Sequence, residues 1–158
     1  MLTIAYAGDD EVIGNTLVGV NEVPKNDSQA AKNAVGDPSG VVYMNLRIYQ
    51  DDDNKPKWVK YTVNTMRMTG EMPPTKTHVH KGKKGTNGDV LLDLPCKYVK
   101  TGSNEWHCEG SLGKNKADRT DSLLSALQKL VNRPNKYYGN IHTKRYPDGA
   151  VRGQLWNV

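Results

Sequence analysis

Short runs in which apolar and polar residues alternate, rich in Val, Ile, Tyr and Thr and cut apart by Gly, Pro, Asn and Asp, recur along nearly the whole chain. A period of two sends successive side chains to opposite faces, which suits a strand with one buried side and does not suit a helix. Nine such runs can be read: Thr16–Val20, Val41–Tyr49, Trp58–Met66, Thr77–His80, Asp89–Leu94, Lys97–Lys100, Glu105–Ser111, Tyr138–Thr143 and Ala150–Trp156. That many strands in 158 residues predict an all-β sandwich or barrel built as one domain, with its core from about residue 16. Asp51-Asp52-Asp53-Asn54 and Gly102-Ser103-Asn104 have the composition of hairpin turns, and Asn26 to Pro38 that of a surface loop.

One segment departs from the alternation. Leu123, Leu124, Leu127, Leu130 and Val131 recur at helical spacing, with Thr120 or Asp118 as the N-cap and Pro134 just past the end. A single short amphipathic helix near residues 120–132 is expected to cover an open end or face of the strands. Phe is absent, but 8 Tyr, 3 Trp and the aliphatic residues supply bulk for one core.

No stretch approaches the 18 apolar residues that a membrane helix needs, and Met1 to Gly8 lacks the basic and apolar regions of a leader. Lys and Arg number 22 against 17 Asp and Glu, a net charge of +5, yet the basic residues are not interleaved with aromatics in any nucleic-acid docking pattern. A membrane span is therefore excluded, and neither nucleic acid nor a membrane is expected as a partner. Lys81, Lys83, Lys84, Lys144, Arg145 and Arg152 flank the histidine-bearing strands, where they would attract small anions or simply form a solvated basic face.

Only four histidines occur, and their placement is uneven. His78 and His80 flank Val79 in one predicted strand, so both imidazoles share a face while Val79 points into the core. His142 lies in a second predicted strand, and three imidazoles brought together would suit copper or zinc with a fourth position open to water or substrate. The alternative is three ordinary strand histidines. His107 is read as a strand histidine or an auxiliary ligand. Gly82, Gly85 and Gly88 form no phosphate loop, and with Gly149 they are expected to shape turns beside the histidine strands. Cys96 and Cys108 are equidistant from Gly102, so a hairpin turning there would set them opposite each other and allow a disulfide, two buried free thiols being the alternative. The sequon Asn26-Asp27-Ser28 lies in the surface loop.

Four blocks carry a resemblance: Gly19-Val20-Asn21-Glu22-Val23-Pro24, the stretch from Gly36 to Leu46, THVHKGKKGTNGDVLLDL from Thr77 to Leu94, and YYGNIHTKRYPDGAVRGQL from Tyr137 to Leu155. In order and spacing they resemble the CHRD (chordin-type) domain family. The resemblance implies a distant likeness to Cu/Zn superoxide dismutase and an immunoglobulin-like Greek-key β-barrel. It implies that His78, His80 and His142 are copper ligands, and that Arg152 is placed like the arginine that guides a small anion such as superoxide to the metal. The span between His142 and Arg152 is much shorter than in the dismutases. Lys81 to Trp106 contains no histidine, so the bridging histidine and the zinc loop of those enzymes are not expected.

Three functions follow from this reading. A copper-binding or sequestering domain, secreted or held at the cell surface, is favoured over a dismutase-like enzyme because the bridging histidine is missing. A metal-free module that contacts another protein is the third.

Overall fold

The computed structural model describes residues 10–28, 35–70 and 73–158. Its strands are β1 (Glu11–Val18), β2 (Val41–Gln50), β3 (Pro56–Met66), β4 (Lys76–Lys81), β5 (Val90–Asp93), β6 (Val99–Gly102), β7 (Glu105–Leu112), β8 (Tyr137–His142), β9 (Val151–Gln154) and β10 (Trp156–Asn157). One α-helix, α1 (Asp121–Asn132), stands between β7 and β8. Among the described residues the fold is all-β with a single short helix, as the alternation predicts. The expected barrel or sandwich takes the form of one ten-stranded sheet in the order β5-β4-β8-β9-β1-β2-β3-β7-β6, with β10 added beside β1. It curls into a half-barrel around one core.

Alternation decides which side of each strand meets that core. On β2, Val42, Met44, Leu46 and Ile48 are buried while Tyr43, Asn45 and Arg47 face out, and β3 buries Val59, Tyr61 and Val63 in register with them. Each fully buried aliphatic side chain of this kind contributes about 1.5–3 kcal/mol. Helix α1 closes the open side with Ala126, Leu127 and Leu130. Thr120 is its N-cap, the hydroxyl accepting from Leu123 N at 3.1 Å, whereas Asp118 belongs to the preceding 3-10 turn. Pro134 opens the 3-10 turn that follows the helix.

Most strand boundaries differ from the sequence reading by one or two residues, and three differences bear on the architecture. The first strand begins at Glu11 and stops at Val18, because Gly19 O accepts from Glu22 N at 3.0 Å and closes a turn where more strand was expected. The last run breaks at the buried Leu155, whose N–H donates to Tyr137 O at 3.0 Å, so that β9 pairs mainly with β8 and β10 with β1. The run expected at Lys97–Lys100 pairs instead over Val99–Gly102.

That last shift bears on the cysteines. Cys96 and Cys108 do form a disulfide, with Cα atoms 5.8 Å apart. The hairpin register, however, pairs Val99 with His107 and Lys100 with Trp106, so Cys96 lies before β6 and reaches the bridge from the connecting segment. The same segment is held by Tyr61, whose hydroxyl donates to Pro95 O, and by a 2.6 Å bond between the Tyr98 and Thr77 hydroxyls. Together these links draw the two ends of the sheet toward each other. Cross-linking residues separated by 12 positions restricts the unfolded chain. Reduction, or a Cys96→Ser/Cys108→Ser double variant, should therefore cost about 3 kcal/mol, read as a lower denaturation midpoint in urea.

A second device holds the loops behind the sheet. Asp37 is 1% exposed, and its carboxylate accepts from Ser39 N, Ser39 Oγ, Gly40 N, Thr69 N and Thr69 Oγ1 at 2.7–3.2 Å. These bonds hold the Asp37 carboxyl below the usual carboxylate range despite the opposing effect of burial. Its own N–H donates to Ala150 O at 2.7 Å, which ties this loop to the entry of β9.

Candidate metal centre

Strands β4 and β8 are neighbours and antiparallel, with Lys76 opposite His142, His78 opposite Asn140 and His80 opposite Tyr138. On β4 the alternation buries Thr77 and Val79 in the core and turns His78 and His80 to the outer face, where the same alternation on β8 places Tyr138, Asn140 and His142. Three histidines predicted as ligands from two distant parts of the sequence are thus brought together. One ligand atom from each of His78, His80 and His142 lies within 4.8 Å of the other two.

The hydrogen bonds decide which nitrogen of each ring faces the cluster. His80 Nδ1 is 2.9 Å from Gly88 O and His142 Nδ1 is 2.9 Å from Pro147 O. A carbonyl can only accept, so both rings carry their proton on Nδ1 and present a bare Nε2. His78 is turned the other way, with Nε2 3.5 Å from Asp93 Oδ1. The atoms left over, His78 Nδ1, His80 Nε2 and His142 Nε2, are buried and have no hydrogen-bond partner. Burial lowers all three imidazole pKa values, most for the reason that a charged ring is disfavoured away from water, and this keeps the nitrogens unprotonated near neutral pH.

Three buried lone pairs with nothing to accept from are costly unless something fills the space between them. Three nitrogens about 2.0–2.1 Å from one ion lie about 3.3–3.6 Å apart in tetrahedral or trigonal geometry, so separations of up to 4.8 Å would need to close by up to about 1.5 Å to hold one. The Gly88 and Pro147 carbonyls supply the outer hydrogen bonds typical of metal-binding histidines, and the Asp93 carboxylate faces the third ring, His78.

The face around the cluster is polar and largely closed. Arg152, on β9 opposite Asn140, is 2% exposed. Its guanidinium lies 3.4 Å from the centre of the Tyr138 ring and donates to Asn87 Oδ1, Lys83 O and Thr86 O. The structure therefore places this residue beneath the loop following β4. Lys81, Lys83, Lys84, Lys144 and Arg145 are exposed around it. His107 is not brought to the cluster: its Nδ1 meets Asn64 Oδ1 at 2.6 Å and its Nε2 faces Glu109 at 3.7 Å. Gly85 and Gly149, with φ of +80° and +140°, serve the turns expected of them. The sequon residues Asn26, Asp27 and Ser28 are exposed.

A hollow of about 280 Å³ opens beside His80 and His142, lined also by Glu22, Lys25, Asn140 and Asp148. The sequence reading assigns no role to Glu22 or Asn140. Glu22 Oε1 accepts from Asn140 Nδ2 at 2.6 Å, and a side chain at Gly149 would collide with the Glu22 carboxylate. Asn140 could have been found, since it sits two residues before His142 and so on the same face. Glu22 could not, because it approaches from a loop more than a hundred residues away.

A family model for the CHRD domain matches residues 13–155. The chain belongs to the CHRD domain family. The match spans β1 to β9, so the CHRD unit contains the histidine cluster, the disulfide and α1 together. Comparison with curated proteins and with solved structures finds no match.

Within this CHRD domain, Glu22 supplies a pH signature. Burial raises its pKa from 4.5 to about 7, against the opposing effects of Arg152 and Asn140. The unfolded chain ionises first, so Glu22 favours the fold fully below pH 4.5 and loses that contribution as pH rises toward 7. A Glu22→Gln variant should match the native chain at pH 4.5 and exceed it above pH 7. At about 1.4 kcal/mol per pKa unit, the gap is up to about 3 kcal/mol, measurable as urea midpoints across pH. A gap that does not change with pH would contradict the assigned burial effect.

Proposed function

We propose that this CHRD domain is a secreted copper-binding module whose ligands are His78 Nδ1, His80 Nε2 and His142 Nε2, serving to sequester or carry the ion. The observation that carries this reading is the convergence of three buried, unpartnered imidazole nitrogens, with the opposite nitrogens of His80 and His142 held by backbone carbonyls and that of His78 facing Asp93. Three neutral imidazoles accept copper or zinc, and the usual order of divalent affinities favours copper over zinc at an unstrained nitrogen site. The disulfide suits an oxidising compartment and so favours secretion.

A dismutase-like activity is the second reading, favoured by the hollow beside His80 and His142, which leaves a small anion a route to a bound ion. Copper, when bound, would supply one-electron chemistry; His80 and His142 would hold it at the wall of the hollow, and the exposed lysines would raise the local anion concentration. Purified protein is loaded with copper, dialysed, and analysed for bound metal and superoxide loss. One copper per chain, retained against equimolar zinc and without superoxide loss, supports sequestration. A superoxide rate that tracks copper content supports the enzyme. Absence of stoichiometric copper overturns both.

A further inference from the structure

The residues around His80 form a stack. The His80 and Tyr138 rings are parallel within 2° at 4.9 Å between centroids, and the Arg152 guanidinium lies over the Tyr138 ring at 3.4 Å from its centre. The same guanidinium gathers Lys83 O, Thr86 O and Asn87 Oδ1 from the loop that leaves β4. That loop ends at Gly88, whose N–H donates to the Tyr138 hydroxyl at 3.1 Å and whose carbonyl meets His80 Nδ1 at 2.9 Å. Gln154, on the same face, adds a 2.9 Å bond to Gly82 O at the loop's other end. The loop is thus a strap pinned from below, and its last carbonyl holds the His80 proton.

We propose that Arg152 and Tyr138 are positioning residues that, through the 83–88 strap, fix the Nδ1–H tautomer of His80 and aim its Nε2 at the cluster. The inference rests on the copper reading for its purpose, though not for its geometry. It differs from anion guidance in what it asks of residue 152: a planar fork with several fixed donors, which lysine cannot imitate, in place of a positive charge, which lysine supplies equally well. His142 serves as an internal control, since Pro147 O orients it without the strap.

The test uses the metal-free protein first. Nitrogen-15 NMR of the histidine rings distinguishes Nδ1–H from Nε2–H tautomers in the wild type, Arg152→Ala, Arg152→Lys and Asn87→Ala. The wild type should show His80 as Nδ1–H alone. Both Arg152 variants should show His80 as a mixture of tautomers, with His142 unchanged. On copper loading they should bind 10- to 100-fold more weakly, as expected when an outer partner of a ligand is lost, with altered copper(II) electron paramagnetic resonance parameters. Asn87→Ala, which removes one surface acceptor of the guanidinium, should move the same readouts in the same direction by a smaller factor.

A folded Arg152→Ala protein that keeps the wild-type His80 tautomer overturns the proposal. So does an Arg152→Lys protein that behaves as wild type while Arg152→Ala does not, because charge alone would then suffice. Should the Arg152 variants fail to fold, a folded Asn87→Ala protein with wild-type tautomer and affinity overturns it. If the wild type binds no copper, the copper reading fails, and the tautomer measurement still decides the role of the strap.

Discussion

Replacing His80 with alanine should remove stoichiometric copper binding and leave the fold in place. Two of three ligands would remain, and the loss should exceed the 10–100-fold range typical of outer partners. The fold should survive because His80 lies on the outer face of β4, away from the buried Val79, and the backbone pairing of β4 with β5 and β8 does not use its side chain. His78→Ala and His142→Ala should behave alike. The measurement is metal content after dialysis together with isothermal titration, with circular dichroism to establish folding. A folded His80→Ala protein that takes up one copper at wild-type affinity would sink the assigned ligand set. Alanine at His107 should change nothing in the same assay, because its ring is engaged by Asn64 and Glu109 instead of the cluster.

The largest loss of stability from a single substitution is expected at Asp37. Its carboxylate accepts five hydrogen bonds from Ser39, Gly40 and Thr69, and hydrogen bonds to a charged group are worth about 1.5–3 kcal/mol each before any mutual compensation. Asp37→Ala would leave donors from two loops without an acceptor, and water could replace only some of them. About 3–5 kcal/mol should be lost, visible as a shifted urea midpoint. Asp37→Asn makes the argument sharper. An amide oxygen could keep the four bonds made by Oδ1, but the NH2 group would then face Thr69 N, which now lies 2.7 Å from Oδ2, and two donors would oppose each other. The asparagine variant should fall between the native chain and alanine. Equal stability of all three would show that the five bonds contribute nothing net.

Strands such as β2 and β3 were legible from the sequence because one face is buried along their whole length, so polarity alternates without interruption. The three histidines were legible for the same reason: period two and the family resemblance both put them on one face of two strands. The setting of Arg152 was not legible. An arginine in an alternating strand reads as solvent-facing, and only the strap from residues 83–88 turns that outer face into a closed layer. Glu22 and Asp37 were invisible for a related reason, since their partners Asn140 and Thr69 stand 118 and 32 positions away. Local pattern carries the strands, while the polar layer depends on which loops the fold lays over them. The cysteine bridge sits between these cases. The pairing expected from the sequence is present, but the hairpin turns at Ser103-Asn104, with Gly102 opposite Glu105, and not about Gly102.

The strand order also sets a sequence of assembly. β1, β2, β3, β7 and β6 adjoin one another, and β4 with β5 forms a separate hairpin at the far end of the sheet. The disulfide can already join these two parts, since both cysteines precede α1. What lies between them in the finished sheet, β8 and β9, comes from residues 137–154, after every other strand of the sheet except β10. His142 therefore arrives with the strand that completes the sheet. Until that strand is in place the domain offers at most two of the three ligands, so an ion would be captured by a nearly complete sheet and could not act as a template for it.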